Sequence, residues 1–445
     1  MRKAGRPLMR LVRLVLRSAP CFPLVVYLVR QRIKPLNDHP GPEAVLLVLD
    51  RERWWKEDLR ILSRRCQLYE LPSGVRDWIS SLFFGEKENK CLLAYRFQGR
   101  QLAVKEKLVG YQARLLKAIR AALKIDCLVT TNHMYMQNKL LAEACGRSAI
   151  AFIDVHKECM KDEYISVVVN KKFELLDAKS PFMGSRICVY NHYMKEFLTG
   201  MGIVAEQDVA VIGALRIDDF MKRVNEARQT PQELRTVTLF SFRHSPSGMP
   251  TVDFQYQFSP DGTKGYAKLF DHVHGIFAGM AARYPHLDFV IKVKWKQVWE
   301  EYIRRAVIRS GNDPDRLPNL RIVSDEESAQ DLIIKSMLVI GLNSTTILEG
   351  RIAGKPVIVP FFDEIADRYP ETLVFRDFLS DFKVARSADE FSSLMSSLIE
   401  NPPSFMPPDE NMLIKYFGYT DGKSLDRFMN VVREETKEHA ILGRE

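Results

Sequence analysis

Cysteine pairs with metal-binding or disulfide spacing are missing from this 445-residue chain. Its seven cysteines, Cys21, Cys66, Cys91, Cys127, Cys145, Cys159 and Cys188, are odd in number, confined to the N-terminal half, and form no CxxC. Most lie in apolar elements, which predicts buried, reduced thiols of a cytoplasmic protein and excludes a disulfide scaffold or a zinc finger. No uncharged apolar run is long enough to span about 30 Å of hydrocarbon. Internal repeats and low-complexity tracts are absent. No DxD motif stands at a strand end in a position suited to a metal, and no clustered His/Asp signature occurs. Asp218-Asp219, beyond Gly213-Ala214-Leu215-Arg216, suits a helix start better than a cation. No RNA- or DNA-binding motif accompanies the net charge of +9, and the basic residues concentrate at the N-terminus, so no nucleic-acid partner is expected.

The remaining composition is that of a globular protein, 46% hydrophobic and 27% charged, and the length calls for two domains. The sequence divides into a basic segment over 1–34, a first domain over 35–225, a second over 226–405, and a C-terminal helical region over 406–445. In the first segment Arg6, Arg10, Arg13 and Arg17 recur at spacings of four and three, while Leu8, Leu11, Val12, Val15 and Leu16 fill most of the remaining positions. A basic amphipathic helix of this kind lies in the headgroup region of an anionic membrane. The window from Ser18 to Val29 is too short to cross a bilayer and is broken by Pro20 and Pro23. A core-packed helix and a cleaved signal peptide are the competing readings. Arginines inside the apolar region, and the lack of a small-x-small cleavage site, speak against the signal. The expected location is cytoplasmic, peripheral on the cytoplasmic face of the membrane, with residues 1–32 as the contact.

Strands and helices alternate along the rest. Expected strands include Ala44 to Leu49, Asp126 to Thr130, Ala149 to Ile153, Arg186 to Tyr190 and Val209 to Ile212. Polar, charged Lys222 to Arg235 reads as a linker, after which a second series runs through Thr236 to Phe242, Phe289 to Val293 and Leu320 to Val323. Four prolines between Pro402 and Pro408 precede a last helix, Asn411 to Glu434, long enough to return to the first domain. Such alternation predicts an α/β protein, two Rossmann-like doubly wound domains facing each other across a cleft.

The most informative stretch is Met337 to Phe362. Leu338 to Ile340 reads as a buried parallel strand, Asn343-Ser344-Thr345-Thr346 as a polar turn, Ile347 to Ala353 as a helix stopped by Gly354, and Val357 to Val359 as a second strand. A strand, a hydroxyl-rich turn and a helix form a crevice of the type in which open α/β sheets bind ligands. Unpaired N–H groups and the positive end of the helix dipole suit a phosphate there, and Glu349 could accept hydrogen bonds from a ribose or sugar. An ordinary capped helix is the bland alternative.

The run Asn-Ser-Thr-Thr-x-x-Glu-Gly followed by Gly-Lys-Pro-Val resembles the donor-nucleotide end of GT-B glycosyltransferases. It is most similar to bacterial enzymes of capsule and surface-polysaccharide assembly, including Kdo transferases and CDP-glycerol polymerases. The resemblance is firm over about residues 320–362 and looser from about 126 to 225. It extends to the UDP-GlcNAc 2-epimerases, whose double-glycine turn is absent here. The resemblance implies a nucleotide-sugar donor as co-substrate, a glycan or lipid-linked acceptor, and no cofactor or required metal.

Several strand ends offer the remaining chemistry. A leaving pyrophosphate gathers negative charge, which metal-independent enzymes of this type meet with Arg or Lys. Arg243, directly after the strand at Thr236 to Phe242, is the first choice, followed by Lys292 and Lys294; each could instead be a solvated basic residue. An acceptor hydroxyl needs a base of near-neutral pKa. His156 at a strand's carboxyl end is similar in position to the histidine that follows an N-domain strand in CDP-glycerol polymerases, although Lys157 replaces the glycine found after it there. Glu158 and Asp154 are alternative bases, and His133 ends the preceding strand. His244, Arg216 and Asn343 are weaker candidates for the cleft. Two other classes stay open: a non-catalytic subunit that binds nucleotide or glycan, and a nucleotide-sugar 2-epimerase.

Overall fold

Two parallel sheets organise the chain. The computed structural model describes residues 22–49, 55–84, 97, 99–133, 135–157, 159, 181–230, 233–242, 266–294, 298–368, 370 and 373–442. The basic run from Arg6 to Arg17 and the residues Glu158, Arg243 and His244 lie outside them. One compact unit draws on described residues of 22–159, 181–219 and 415–442, the other on 220–414.

In the first unit the strands are β1 (Lys34–Pro35), β2 (Ala44–Leu49), β3 (Cys66–Leu71), β4 (Cys127–Thr130), β5 (Ala151–Val155), β6 (Arg186–Val189) and β7 (Val209–Val211). They lie in the order β1-β3-β2-β4-β5-β6-β7, parallel except for the two-residue edge strand β1. Alternate residues of β2 serve two cores, as a sheet covered on both faces requires. Leu47 and Leu49 join Leu108, Leu115 and Leu140 of helices Arg100–Leu123 and Met136–Arg147, together with Val25 and Val29 of helix Phe22–Arg30. Leu46 and Val48 join Trp55, Leu62, Phe428, Met429 and Val432 on the other face. Cys66, Cys127, Cys145, Cys159 and Cys188 are buried free thiols, and burial pushes Cys66 up to about 12.

The second unit holds β8 (Thr236–Phe240), β9 (Asp288–Lys292), β10 (Leu320–Val323), β11 (Ser336–Gly341), β12 (Val357–Pro360) and β13 (Lys383–Ala385) in the order β10-β9-β8-β11-β12-β13, all parallel. Counted along the chain this is 3-2-1-4-5-6, the classic dinucleotide-fold order, whose direction reverses between β8 and β11.

Three elements differ from expectation. The charged segment after Lys222 is not a linker at its start but the end of helix Leu215–Gln229. Ile217, Phe220 and Val224 recur on its inner face, and this spacing outweighs the charge of the intervening residues. The single last helix is two, Glu410–Phe417 and Ser424–Leu442, separated where Gly418 and Gly422 adopt φ of +74° and +75°. A Cβ on Gly418 would stand 2.0 Å from the Tyr190 carbonyl oxygen, so the break is fixed by backbone packing. Finally, β5 extends to Val155, which places Asp154 inside the strand rather than in the loop after it. Among the described residues no helix is long and apolar enough to cross a membrane.

Candidate functional site

Each unit gathers chemistry at the carboxyl ends of its strands. In the second unit, β11 ends at Gly341, paired with Phe240 at the end of β8, so the turn 342–344 emerges at the switch point. Asn343 there adopts φ +47°, and its side-chain oxygen accepts the Val374 N–H at 3.3 Å. Two more non-glycine residues with positive φ stand nearby in sequence, Asp363 after β12 and Phe375 before β13. Strained backbone of this kind persists where surrounding structure imposes it, commonly at functional sites.

Ser344 caps helix Thr345–Ile352: its Oγ accepts the Thr346 N–H at 3.4 Å and the Thr346 hydroxyl at 2.9 Å. The Thr346 hydroxyl proton is therefore used within the turn, whereas that of Ser344 is not. Helix and sheet lie close because Gly350 has no side chain; a Cβ would stand 3.1 Å from Val357 Cγ2 and 3.3 Å from Val339 Cγ1. Glu349 is buried, 4% exposed. The helix ends at Gly354, φ +67°, as the sequence predicts.

The other helix N-terminus in this unit that follows a switch-point strand is already neutralised. Glu364 accepts the Lys268 and Leu269 N–H groups at 2.9 and 3.0 Å at the start of helix Ala267–Arg283. Among the described residues no carboxylate is bonded to the N-terminus of helix Thr345–Ile352, which suits an outside anion.

The lysines part company. Lys292 is buried and donates to the Ser324 and Glu327 carbonyl oxygens, holding the loop after β10, while Lys294 is exposed. Burial of Lys292 follows from its place as the last residue of a central strand. Sequence reasoning assigned no role to Ser241 or His274. Ser241, just beyond β8, lies 2.9 Å from His274 Nε2, and His274 Nδ1 lies 2.7 Å from the Phe270 carbonyl oxygen. The carbonyl requires Nδ1–H, so Ser241 donates to Nε2. Ser241 stands near the end of the expected strand Thr236 to Phe242, but its partner is 33 residues away and left no local signal.

In the first unit β4 and β5 bring together three residues that the sequence separates. Thr130 pairs with Asp154 in the ladder, so His133 and His156 emerge side by side. Asp154 Oδ2 lies 2.6 Å from His133 Nδ1 and 3.3 Å from His156 Nδ1, and the two rings are 5.4 Å apart. All three are buried. A His/Asp cluster thus exists that no sequence motif announces, because strand pairing and not spacing assembles it. Burial alone would raise the Asp154 carboxyl; hydrogen bonds from both histidines outweigh it and hold the group below its ordinary value. Burial pushes the His133 imidazole down, against the pull of Asp154. An ionised Asp154 thus accepts from Nδ1–H of both rings, leaving each Nε2 with the lone pair. The backbone is pinned: His156 N–H donates to the Cys188 carbonyl at 2.9 Å, and Cys159 Sγ reaches the His156 carbonyl at 3.0 Å. Lys157, half-buried, pairs with Asp58. Arg216 lies at the start of helix Leu215–Gln229, away from these strand ends in sequence.

Neither a protein-family model nor a curated protein matches the chain. Among solved structures, the wall teichoic acid polymerase TagF, a histidine-to-asparagine variant with CDPG, aligns at a TM-score of 0.52 and 11% identity. The match covers 99% of this chain and 100% of that one. UDP-GlcNAc 2-epimerase from Neisseria meningitidis, bound to UDP-GlcNAc, gives 0.47 at 14% identity over 88% and 99% of the two chains. MurG from Acinetobacter baumannii gives 0.42 at 11% over 88% and 100%. The TagF likeness extends over both units and establishes a two-domain, GT-B-like α/β fold. At 11% identity it establishes the fold alone.

Proposed function

We propose that the chain is a GT-B glycosyltransferase that moves a sugar from a nucleotide-activated donor to a surface or capsular polysaccharide or its lipid-linked precursor. The observation that carries this reading is the 343–346 turn. It stands at the reversal of a 3-2-1-4-5-6 sheet and begins a helix whose N-terminus is bonded to no carboxylate among the described residues. In this reading the nucleotide phosphates of the donor are bound by the amide groups of that turn and by the Ser344 and Thr345 hydroxyls. Arg243, which follows β8 in sequence, adds charge as the leaving group departs. Glu349 accepts from a ribose or sugar hydroxyl.

On the acceptor side His156 is the base. Asp154 is a positioning residue: it holds His156 Nδ1–H and leaves Nε2 to take the proton of the acceptor hydroxyl. The new C–O bond forms to the acceptor oxygen as the bond to the nucleotide phosphate breaks, and the nucleotide phosphate leaves with the electron pair. The acceptor is presented at an anionic membrane surface. Leu24 and Tyr27 of helix Phe22–Arg30, 42% and 59% exposed, support such a contact, with Arg30 and Arg32 exposed beside them.

A thermal-shift panel of CMP-, CDP-, GDP- and UDP-sugars tests the donor half, since a ligand that binds the folded state raises its apparent stability. One nucleotide class is expected to stand out. With that donor, His156→Gln is expected to lower turnover by about 10²- to 10⁴-fold while donor affinity is unchanged. A chain that binds no nucleotide, or turns over normally with His156→Gln, contradicts the proposal; the second outcome would favour a binding subunit. A sugar epimer released without acceptor would identify an epimerase instead.

A further inference from the structure

His133, Asp154 and His156 are 2%, 0% and 5% exposed. One ring nitrogen of each imidazole and one carboxylate oxygen lie within 4.8 Å of one another. Two further atoms of the cluster, His133 Nε2 and Asp154 Oδ1, are buried with no hydrogen-bond partner among the described residues. Buried polar atoms without partners are rare and commonly mark a water or an ion. The proton network through Asp154 Oδ2 accounts for both Nδ1 atoms and leaves these two atoms unexplained.

We propose that His133, Asp154 and His156 bind one divalent transition-metal ion of the zinc class. Two imidazoles and one carboxylate favour Zn²⁺, Co²⁺ or Ni²⁺ over Mg²⁺ and Ca²⁺, which take oxygen ligands almost exclusively. Ligands on a tetrahedral ion with bonds of about 2.0–2.1 Å stand roughly 3.3 Å apart. The three ligand atoms of the cluster lie within 4.8 Å of one another, so their separations must adjust by roughly 1.5 Å at most to match. The ligands rise from two hydrogen-bonded strands, a rigid base for such a site. Three protein ligands leave a fourth position for water. The consequence for transfer rests on the proposed role of His156: an ion that occupies the imidazole lone pair blocks acceptor deprotonation, so occupancy inhibits.

The test is a Co²⁺ titration of untagged, full-length protein followed by visible absorption. A band saturating at one equivalent is expected, abolished by Zn²⁺ and untouched by excess Mg²⁺ or Ca²⁺. Asp154→Asn and His133→Gln, with native circular dichroism, are expected to weaken Co²⁺ binding by more than about a hundredfold, whereas His192→Gln leaves it unchanged. Zinc X-ray absorption of the unmodified protein needs no variant; two imidazoles with light-atom scattering are expected. No saturable band, a band undiminished in both folded variants, or sulfur scattering would overturn the proposal. Binding is read without turnover, so a failure of sugar transfer would count against the proposed function and leave the metal site standing.

Discussion

Ser344 accepts two hydrogen bonds within its own turn and keeps its hydroxyl proton, while Thr346 spends its proton on Ser344. The three hydroxyls of the 343–346 turn are therefore unequal, although the sequence presents them alike. Ser344→Ala and Thr345→Ala together are expected to weaken donor binding by about 1–3 kcal/mol, read by calorimetry with the nucleotide found in the screen. Thr346→Val removes only the internal bond and is expected to cost donor affinity far less. Lys292 teaches the converse lesson. Alternation predicts that it shares a face with Lys294, yet it is buried and donates to two loop carbonyls. Which partner a side chain finds depends on a loop more than 30 residues away, and no local pattern records that. The same holds for the His133–Asp154 bond, made across 21 residues.

Among the elements, the helix after β11 is the clearest case in which a motif residue has a packing reason. Exchanging a mid-helix glycine for alanine ordinarily gains about 0.5–1 kcal/mol. At Gly350 the new methyl meets Val357 and Val339 at 3.1 and 3.3 Å, so Gly350→Ala is expected to destabilise by about 1–3 kcal/mol in chemical denaturation. A gain in stability would mean that the helix can lift from the sheet at no cost. The continuous apolar strands β2, β4, β5 and β11 were legible because burial on both faces makes them so. β3, Cys-Gln-Leu-Tyr-Glu-Leu, was not: next to the edge of the sheet it alternates polar and apolar residues and resembles its surroundings. At the N-terminal end, helix Phe22–Arg30 buries Val25 and Val29 and turns Leu24 and Tyr27 outward. Leu24→Ser with Tyr27→Ser is expected to reduce binding to anionic liposomes without altering the melting temperature, and high salt should weaken what remains. Liposome binding equal to that of the unmodified protein would remove the membrane from the functional reading.

For the molecule as a whole, the doubly wound class followed from the alternation of elements, whereas the strand order did not, because crossover direction leaves no mark on composition. The first unit also depends on the end of the chain. Helix Ser424–Leu442 contributes Phe428, Met429 and Val432 to one of its two cores and adds polar bonds along its length. Arg65 meets Asp426 at 2.5 Å, Arg186 meets Glu435 at 2.6 Å, and Ser185 meets His439 at 2.8 Å. Ser185 Oγ accepts the Phe152 N–H at 3.0 Å and lies 2.8 Å from His439 Nε2. Burial lowers His439, with Arg120 acting in the same direction and Glu435 and Glu438 opposing. The unfolded chain, with an imidazole near the ordinary value of about 6.5, takes up the proton first. Stability is then complete above about pH 6.5 and falls as the pH drops from there towards the lower folded value. The slope cannot exceed about 1.4 kcal/mol per pH unit for each such group, and His133, lowered the same way, adds a second. Asp421 and Glu43, held near 2 by their arginines, add their losses only below about pH 4.5. Urea unfolding of His439→Gln between pH 7.5 and 5 is therefore expected to show a shallower decline than the unmodified protein. Parallel curves would mean that the last turns of the helix open before the rest of the unit and that His439 titrates freely in the folded state.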